Sequence, residues 1–176
     1  MMLALPHAAA FSLLVALMMM VAVIDIRSMI IPDWVNAAIF VSGLLASLIV
    51  DAVNPLSALA ASGIAATLLA LVQMAFRAVR GYDGLGWGDV KFIGAAATWT
   101  GLEGLAFALL VASILALFFV LGSQALTRKF DHRQRIPFGP FLALGATSVA
   151  GFQLLSGISM LDVMDMWLIG LLPSQA

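Results

Sequence analysis

The chain has 176 residues, 64% of them hydrophobic and only 10% charged, and its eight Lys and Arg against nine Asp and Glu give a net charge of −1. A soluble domain is roughly 45–50% apolar and about 25% charged, so this composition excludes a soluble globule, a disordered chain and a coiled coil, and indicates a polytopic α-helical membrane protein. Because the chain has no basic surface, no cysteine and only two histidines, we predict no nucleic-acid partner, no metal site and no cofactor.

Six segments of the chain are predicted to span the membrane, since a spanning helix needs roughly 20 mostly apolar residues. In chain order they are residues 8–24, 34–50, 56–76, 90–100, 105–126 and 137–155. The first is interpreted as a retained helix because no Lys or Arg precedes it and no small-residue cleavage site ends it. The tail, residues 159–172, is short and carries two aspartates, which favours an interfacial helix over a seventh span. No linker divides the chain, so residues 1–176 are predicted to form a single membrane-embedded domain.

The basic residues support this division of the chain. The even-numbered connections, around residues 51–55 and 101–104, contain no Lys or Arg. Because positive charges stay on the cytoplasmic side, we predict that the odd-numbered connections lie in the cytoplasm and that both termini lie outside. All eight basic residues lie in or beside odd-numbered connections: Arg27 at the first, Arg77, Arg80 and Lys91 at the third, and Arg128, Lys129, Arg133 and Arg135 in the fifth.

Two aspartates near the predicted membrane boundary are candidates for a functional site. Asp25 directly follows an apolar run, where an ionisable group is costly; the alternative is that it only pairs with Arg27. Asp89 ends a glycine-rich loop. A role as helix N-cap would explain the aspartate but not the glycines, which permit positive φ angles and the close approach of another backbone. A phosphate-binding loop is excluded because no Gly-Lys-Ser/Thr sequence follows. The glycines of this loop occupy alternate positions: Gly84, Gly86 and Gly88.

The predicted topology puts Asp25 and Asp89 at the same depth, on the cytoplasmic side. Two carboxylates that share a site do not both ionise cheaply, so one of them holds a proton near neutral pH. One carboxylate can then act as general base on a water while the other protonates or hydrogen-bonds the scissile carbonyl. This aspartic protease chemistry needs neither metal nor thiol. Asp33, which follows Pro32, is instead predicted to cap the second helix.

Three sequence blocks resemble those of the type IV prepilin peptidases, the GxGD class of membrane aspartic proteases. The first block is Asp25-Ile26-Arg27-Ser28 with Ile31-Pro32-Asp33, and the second is Gly86-Trp87-Gly88-Asp89-Val90-Lys91. The third runs from Ile136 to Gly145 and contains Pro137-Phe138-Gly139-Pro140. A single GxGD is a weak signal, but the three blocks in this order extend from the first predicted helix to the sixth.

The resemblance implies a fold, an activity and a set of site residues. The fold is a six-helix core in the inner membrane. The activity is removal of leader peptides from prepilins or pilin-like proteins, without a cofactor, by Asp25 and Asp89 at the cytoplasmic side. Supporting or substrate-binding roles would fall to the other residues of the blocks: Arg27, Asp33, Gly86, Gly88, Lys91, Pro137, Phe138, Gly139 and Pro140.

Family members that also N-methylate their product carry an extra N-terminal domain with paired CxxC motifs. This chain begins at its first helix and has no cysteine. It therefore resembles the short forms, such as those of tight-adherence (Flp) pilus systems and archaeal preflagellin processing, and no methyltransferase activity is expected.

Other classes of membrane protein fit the sequence less well. A proton-coupled transporter or channel needs a polar path across the membrane, but the second, third and fifth helices have few polar residues beyond Ser, Thr and Gln73. A structural subunit would leave the glycine loop and the Pro-Phe-Gly-Pro block unexplained. A presenilin-like protease would have Pro-Ala-Leu in its late block, which is not the sequence found here.

Overall fold

The computed structural model describes residues 4–50, 53–127 and 137–171, and this part of the chain is helical and contains no strand. Four of the described helices, α1, α3, α4 and α5, are long and apolar enough to cross a membrane, whereas α2 is apolar but shorter. The predicted class, an all-α membrane protein, is confirmed. The helices are α1 (Ala4–Ser28), α2 (Asp33–Ile49), α3 (Pro55–Arg80), α4 (Trp87–Thr127), α5 (Gly139–Ser156) and α6 (Met160–Leu171).

Helix α4 combines two segments that the sequence predicts as separate spans. Its 41 residues are interrupted only at Gly101, whose φ of 67° and ψ of 178° are not helical. Glycine has no Cβ and adopts such a positive φ without steric cost. Beside the break, Gln153 Nε2 of α5 donates a hydrogen bond to the Thr100 carbonyl at 3.2 Å. The predicted connection of four residues is therefore a single non-helical residue.

The helices pack around α4, which contacts α2, α3 and α5, while α1 packs against α5 and α2. Small residues allow these close contacts, as in other helical membrane proteins. A Cβ at Gly145 of α5 would collide with the Ala108 carbonyl of α4, so this glycine lets two backbones meet. Many large apolar side chains on the outside of the bundle are exposed, which fits a surface covered by lipid rather than water.

Helix α6 begins with a reciprocal pair of hydrogen bonds, the capping box. The Asp162 N–H donates to Ser159 Oγ at 3.1 Å, and the Ser159 N–H donates to Asp162 Oδ2 at 3.0 Å. Hydrogen bonds from the Ser159 side chain and backbone lower the pKa of Asp162. Asp162 and Asp165 are both exposed, as predicted. The placement of α6 at a membrane interface stays a prediction.

Several of the predicted features fall outside the described residues. They are Asp51 in the second connection, the second histidine, the end of the tail and half of the basic residues, namely Arg128, Lys129, Arg133 and Arg135. The sidedness that we infer from the basic residues therefore rests on the sequence.

Candidate active site

Asp25 lies near the end of α1 and is almost completely buried, with 5% of its surface exposed. Its Oδ2 accepts a hydrogen bond of 2.8 Å from the backbone N–H of Gly139. Gly139 is the first residue of α5, where backbone N–H groups have no helical partner and the helix dipole favours a negative charge. The first and third sequence blocks therefore meet at this carboxylate.

Asp89 is the third residue of α4 and is half-buried. It is not the N-cap, because the helix already begins at Trp87. The backbone of Gly86 interacts with its carboxylate, and Asp25 is close enough for the two charges to interact. The structure thus brings the two aspartates of the first and second blocks together.

Two neighbouring cavities have both aspartates in their walls. One, of about 340 Å³, lies between residues 29–31 and the start of α4. The other, of about 640 Å³, lies between residues 83–86 and Pro137–Phe138. Asp25, Met29, Gly86 and Asp89 line both cavities. The carboxylates therefore lie where the two cavities adjoin, with open space on either side.

Gly84, Gly86 and Gly88 each lie close to a neighbouring group, and at Gly88, the second residue of α4, that group includes another backbone, as predicted. A Cβ at Gly84 would lie 2.6 Å from the Phe76 ring, one at Gly86 would lie 3.1 Å from Asp89 Oδ2, and one at Gly88 would lie 3.4 Å from Ile31. None of these three glycines has a positive φ angle, although glycine permits one. The positive φ of this loop is at Gly81, which ends α3 in the left-handed conformation.

The prediction that Asp33 caps α2 is also wrong. The N-cap is Pro32, no side chain caps the helix, and Asp33 is its first residue. The Asp33 carboxylate instead accepts hydrogen bonds from Lys91 Nζ of α4, which lies 2.7 Å and 2.9 Å from its two oxygens. This ion pair joins α2 to α4 at the wall of the smaller cavity.

We expect the Asp33–Lys91 ion pair to tune the site rather than to hold the fold. Both side chains are more than half exposed, and such pairs contribute little, about 0.2–1 kcal/mol. Asp33→Asn or Lys91→Met should slow turnover about 1.4- to fivefold, the rate equivalent of that energy. The charge-reversed double variant, Asp33→Lys with Lys91→Asp, should recover most of the rate. If its rate is instead the product of the two single losses, the pair has no coupled role.

The remaining predicted residues are divided between the site and the surface. Pro137 and Phe138 line the larger cavity, and Pro140 is the second residue of α5, where its missing N–H costs no helical hydrogen bond. Arg27 is exposed and lines neither cavity. Both residues of the alternative Asp25–Arg27 pair are described, and no ion pair joins them.

Sequence reasoning missed two residues of this site. Met29 directly follows α1 and has a φ of 52°, a left-handed conformation that is uncommon for a residue other than glycine. It lines both cavities. Gln73 of α3 accepts a hydrogen bond of 2.8 Å from the Leu85 N–H in the glycine loop. The one available signal was the amide of Gln73 within an otherwise apolar span.

The comparisons with known proteins agree with the family that the blocks indicate, and the family match contains the first two blocks. The sequence signature of the type IV leader peptidase family matches residues 12–121. The chain is 31% identical over 121 residues to a prepilin leader peptidase/N-methyltransferase of Aeromonas hydrophila, which covers 69% of this chain and 41% of that protein. It is 33% identical over 150 residues to the protein of that name from Dickeya chrysanthemi, and this match covers 85% of this chain and 51% of that protein.

The chain spans about half the length of the curated relatives that it matches. No solved structure matches it. The family signature covers well over half of the chain and includes both Asp25 and Asp89. The chain therefore belongs to the type IV leader peptidase family.

Proposed function

We propose that this protein is a membrane aspartic endopeptidase that removes the leader peptide from prepilins or pilin-like proteins. The observation that carries the proposal is the position of Asp25 and Asp89. They are far apart in sequence and on different helices, yet both line the same two cavities. The names of the relatives, prepilin leader peptidase/N-methyltransferase, supply the substrate class. Of the two activities in that name, we propose only the peptidase, since it is the one that a pair of carboxylates can perform.

The proposed reaction is hydrolysis of one peptide bond. One carboxylate takes a proton from a water molecule, and the water oxygen attacks the carbonyl carbon of the scissile bond. The other, protonated carboxyl group donates a hydrogen bond or a proton to the carbonyl oxygen. The C–N bond then breaks as the first carboxyl group passes the proton it took from water to the leaving amine nitrogen, and the new carboxyl group is the end of the leader.

The two cavities offer room for the peptide on both sides of the scissile bond. The aspartates lie where the cavities adjoin, so an extended peptide that passes from one cavity into the other places its carbonyl next to both carboxylates. The Gly139 N–H donates its hydrogen bond to Oδ2 of Asp25. Oδ1 is then the oxygen that faces the water in the proposed reaction. This hydrogen bond also fixes the carboxylate before substrate binds, and such preorganisation favours the reaction.

We further propose that the site lies at the cytoplasmic face of the inner membrane. The charge distribution supports this, because the connections beside both aspartates carry basic residues and the opposite connections carry none. The two arms of α4, on either side of Gly101, would then count as separate spans. Together with α1, α2, α3 and α5 they make six, with both termini outside.

Co-expression with candidate prepilins tests the function. In a host without its own prepilin peptidase, the chain should shorten a prepilin by its leader, with a gel shift and a new N-terminus found by sequencing. Prepilins that stay uncut in membranes that contain the folded protein would contradict the proposal.

A further inference from the structure

Gln73 is the most deeply buried polar group beneath the loop that carries Gly86 and leads to Asp89. It lies on α3 with 1% of its surface exposed. Burial of an amide within a membrane-spanning helix is costly unless it is hydrogen-bonded. Its Oε1 accepts the Leu85 N–H at 2.8 Å, whereas its Nε2 has no hydrogen-bond partner among the described residues. A side chain of α3 thus holds the backbone of the loop directly, through one half of its amide.

Further contacts join the same loop to the same face of α3. Arg77 forms an ion pair of 3.5 Å with Asp83, and the Phe76 ring meets Tyr82 edge to face with centroids 5.6 Å apart. Residues 73, 76 and 77 are spaced three and four apart, which places them on one helix face. The loop thus folds back along the end of α3.

These contacts differ in strength. Both side chains of the Arg77–Asp83 ion pair are exposed, and exposed ion pairs contribute little to stability. The Gln73–Leu85 hydrogen bond joins neutral groups, and its acceptor is buried, so water does not easily replace the Leu85 N–H at Gln73 Oε1 once the bond is lost. This bond is therefore a stronger restraint on the position of the loop than the exposed ion pair.

The loop leads directly to the candidate active site. Leu85 precedes Gly86, whose backbone interacts with the Asp89 carboxylate, and the Gly86 carbonyl accepts the Val90 N–H at 3.2 Å in the first turn of α4. Leu85 and Gly86 both line the larger cavity. A shift of the Leu85 backbone is thus passed to the residue that fixes Asp89.

We propose that Gln73 is a positioning residue for the peptidase reaction, which holds the loop of residues 81–86 so that Asp89 faces Asp25. This inference rests on the proposed function. Gln73 does not touch the peptide. Its loss should therefore lower kcat and leave KM nearly unchanged.

The first test replaces Gln73 with methionine, which has a similar length and no hydrogen-bonding amide. We expect kcat for leader removal to fall about tenfold, with KM within about twofold, because one buried hydrogen bond to the loop is lost. The matched control is Gln153→Met. Gln153 is also buried, at 6% exposed, but its hydrogen bond goes to Thr100 beside the Gly101 break. This control should keep the wild-type kcat, and equal losses of kcat in both variants would overturn the inference.

A second variant removes the other partner of the bond. Leu85→Pro has no backbone N–H at this position and leaves α3 intact, so it keeps the inference testable if Gln73→Met does not fold. We expect it to lower kcat by at least as much as Gln73→Met. The double variant should then be no slower than Leu85→Pro, because both changes break one interaction. If the double variant instead loses kcat by the product of the two single losses, Gln73 and Leu85 do not act through one interaction.

A third measurement does not depend on cleavage. The chain has no cysteine, so Leu85→Cys introduces a single thiol at the half-buried loop position and retains the N–H. Adding Gln73→Met should raise its rate of maleimide labelling, and adding Gln153→Met should not. An unchanged labelling rate would refute the loop restraint itself. If Gln73→Met speeds labelling but the wild-type protein cleaves no prepilin, then the restraint exists and the proposed function is wrong.

Discussion

Asp25→Asn and Asp89→Asn should each abolish leader cleavage, with a loss of about 10²–10⁴-fold or more, the range of general acid–base catalysis. Asparagine has nearly the shape of aspartate, and its side-chain oxygen can still accept the Gly139 N–H that holds Asp25. It cannot take a proton from water. The fold should therefore persist while the chemistry stops.

The matched control is Asp165→Asn, the same chemical change at an exposed position on α6. It should cleave prepilin at the wild-type rate. All three variants should insert into membranes and unfold at similar temperatures. The double variant, with both Asp25 and Asp89 replaced, should be no slower than either single one, because residues that act as a unit do not lose activity additively. Substantial cleavage by either single variant would remove that residue from the dyad.

The sequence predicts the helical class and the candidate residues because these depend on local patterns. Apolar runs of the right length mark the helices, and an aspartate at the end of such a run is conspicuous. The predicted fourth span, however, begins at residue 90, three residues after the observed start of α4 at Trp87. Gly88 lies inside its first turn, although glycine favours loops, because Ile31 leaves little room beside it for a larger residue.

The side-chain contacts of the site are not predictable from such patterns. The Asp33–Lys91 pair joins residues on α2 and α4, and the Gln73–Leu85 bond depends on how the loop folds along α3. Both require knowledge of which helix faces meet. The same holds for Gly101, which resembles any other loop glycine in the sequence and becomes recognisable only when α4 continues beyond it.

Gly139 is the position where a single added methyl group should do the most damage to the site. An ideal Cβ there would lie 2.7 Å from Asp25 Oδ2 and 2.9 Å from Asp25 Cγ, which is closer than real carbon contacts allow. The residue also precedes Pro140, and a Cβ before proline disfavours the helical conformation that begins here. Alanine would therefore push α5 and the Asp25 carboxylate apart and weaken their hydrogen bond.

We expect Gly139→Ala to lower kcat about 100-fold, since a displacement of about 1 Å at a reacting group has that effect. The control is Gly63→Ala on α3, where a Cβ would meet nothing within 4 Å; it should keep full activity and gain a little stability, because alanine favours helix. Adding Pro140→Ala to Gly139→Ala relieves the constraint from proline but not the contact with Asp25. If the contact displaces the carboxylate, the double variant stays slow. Recovery of activity by the double variant would assign the loss to the start of α5 instead and would leave Asp25 undisturbed.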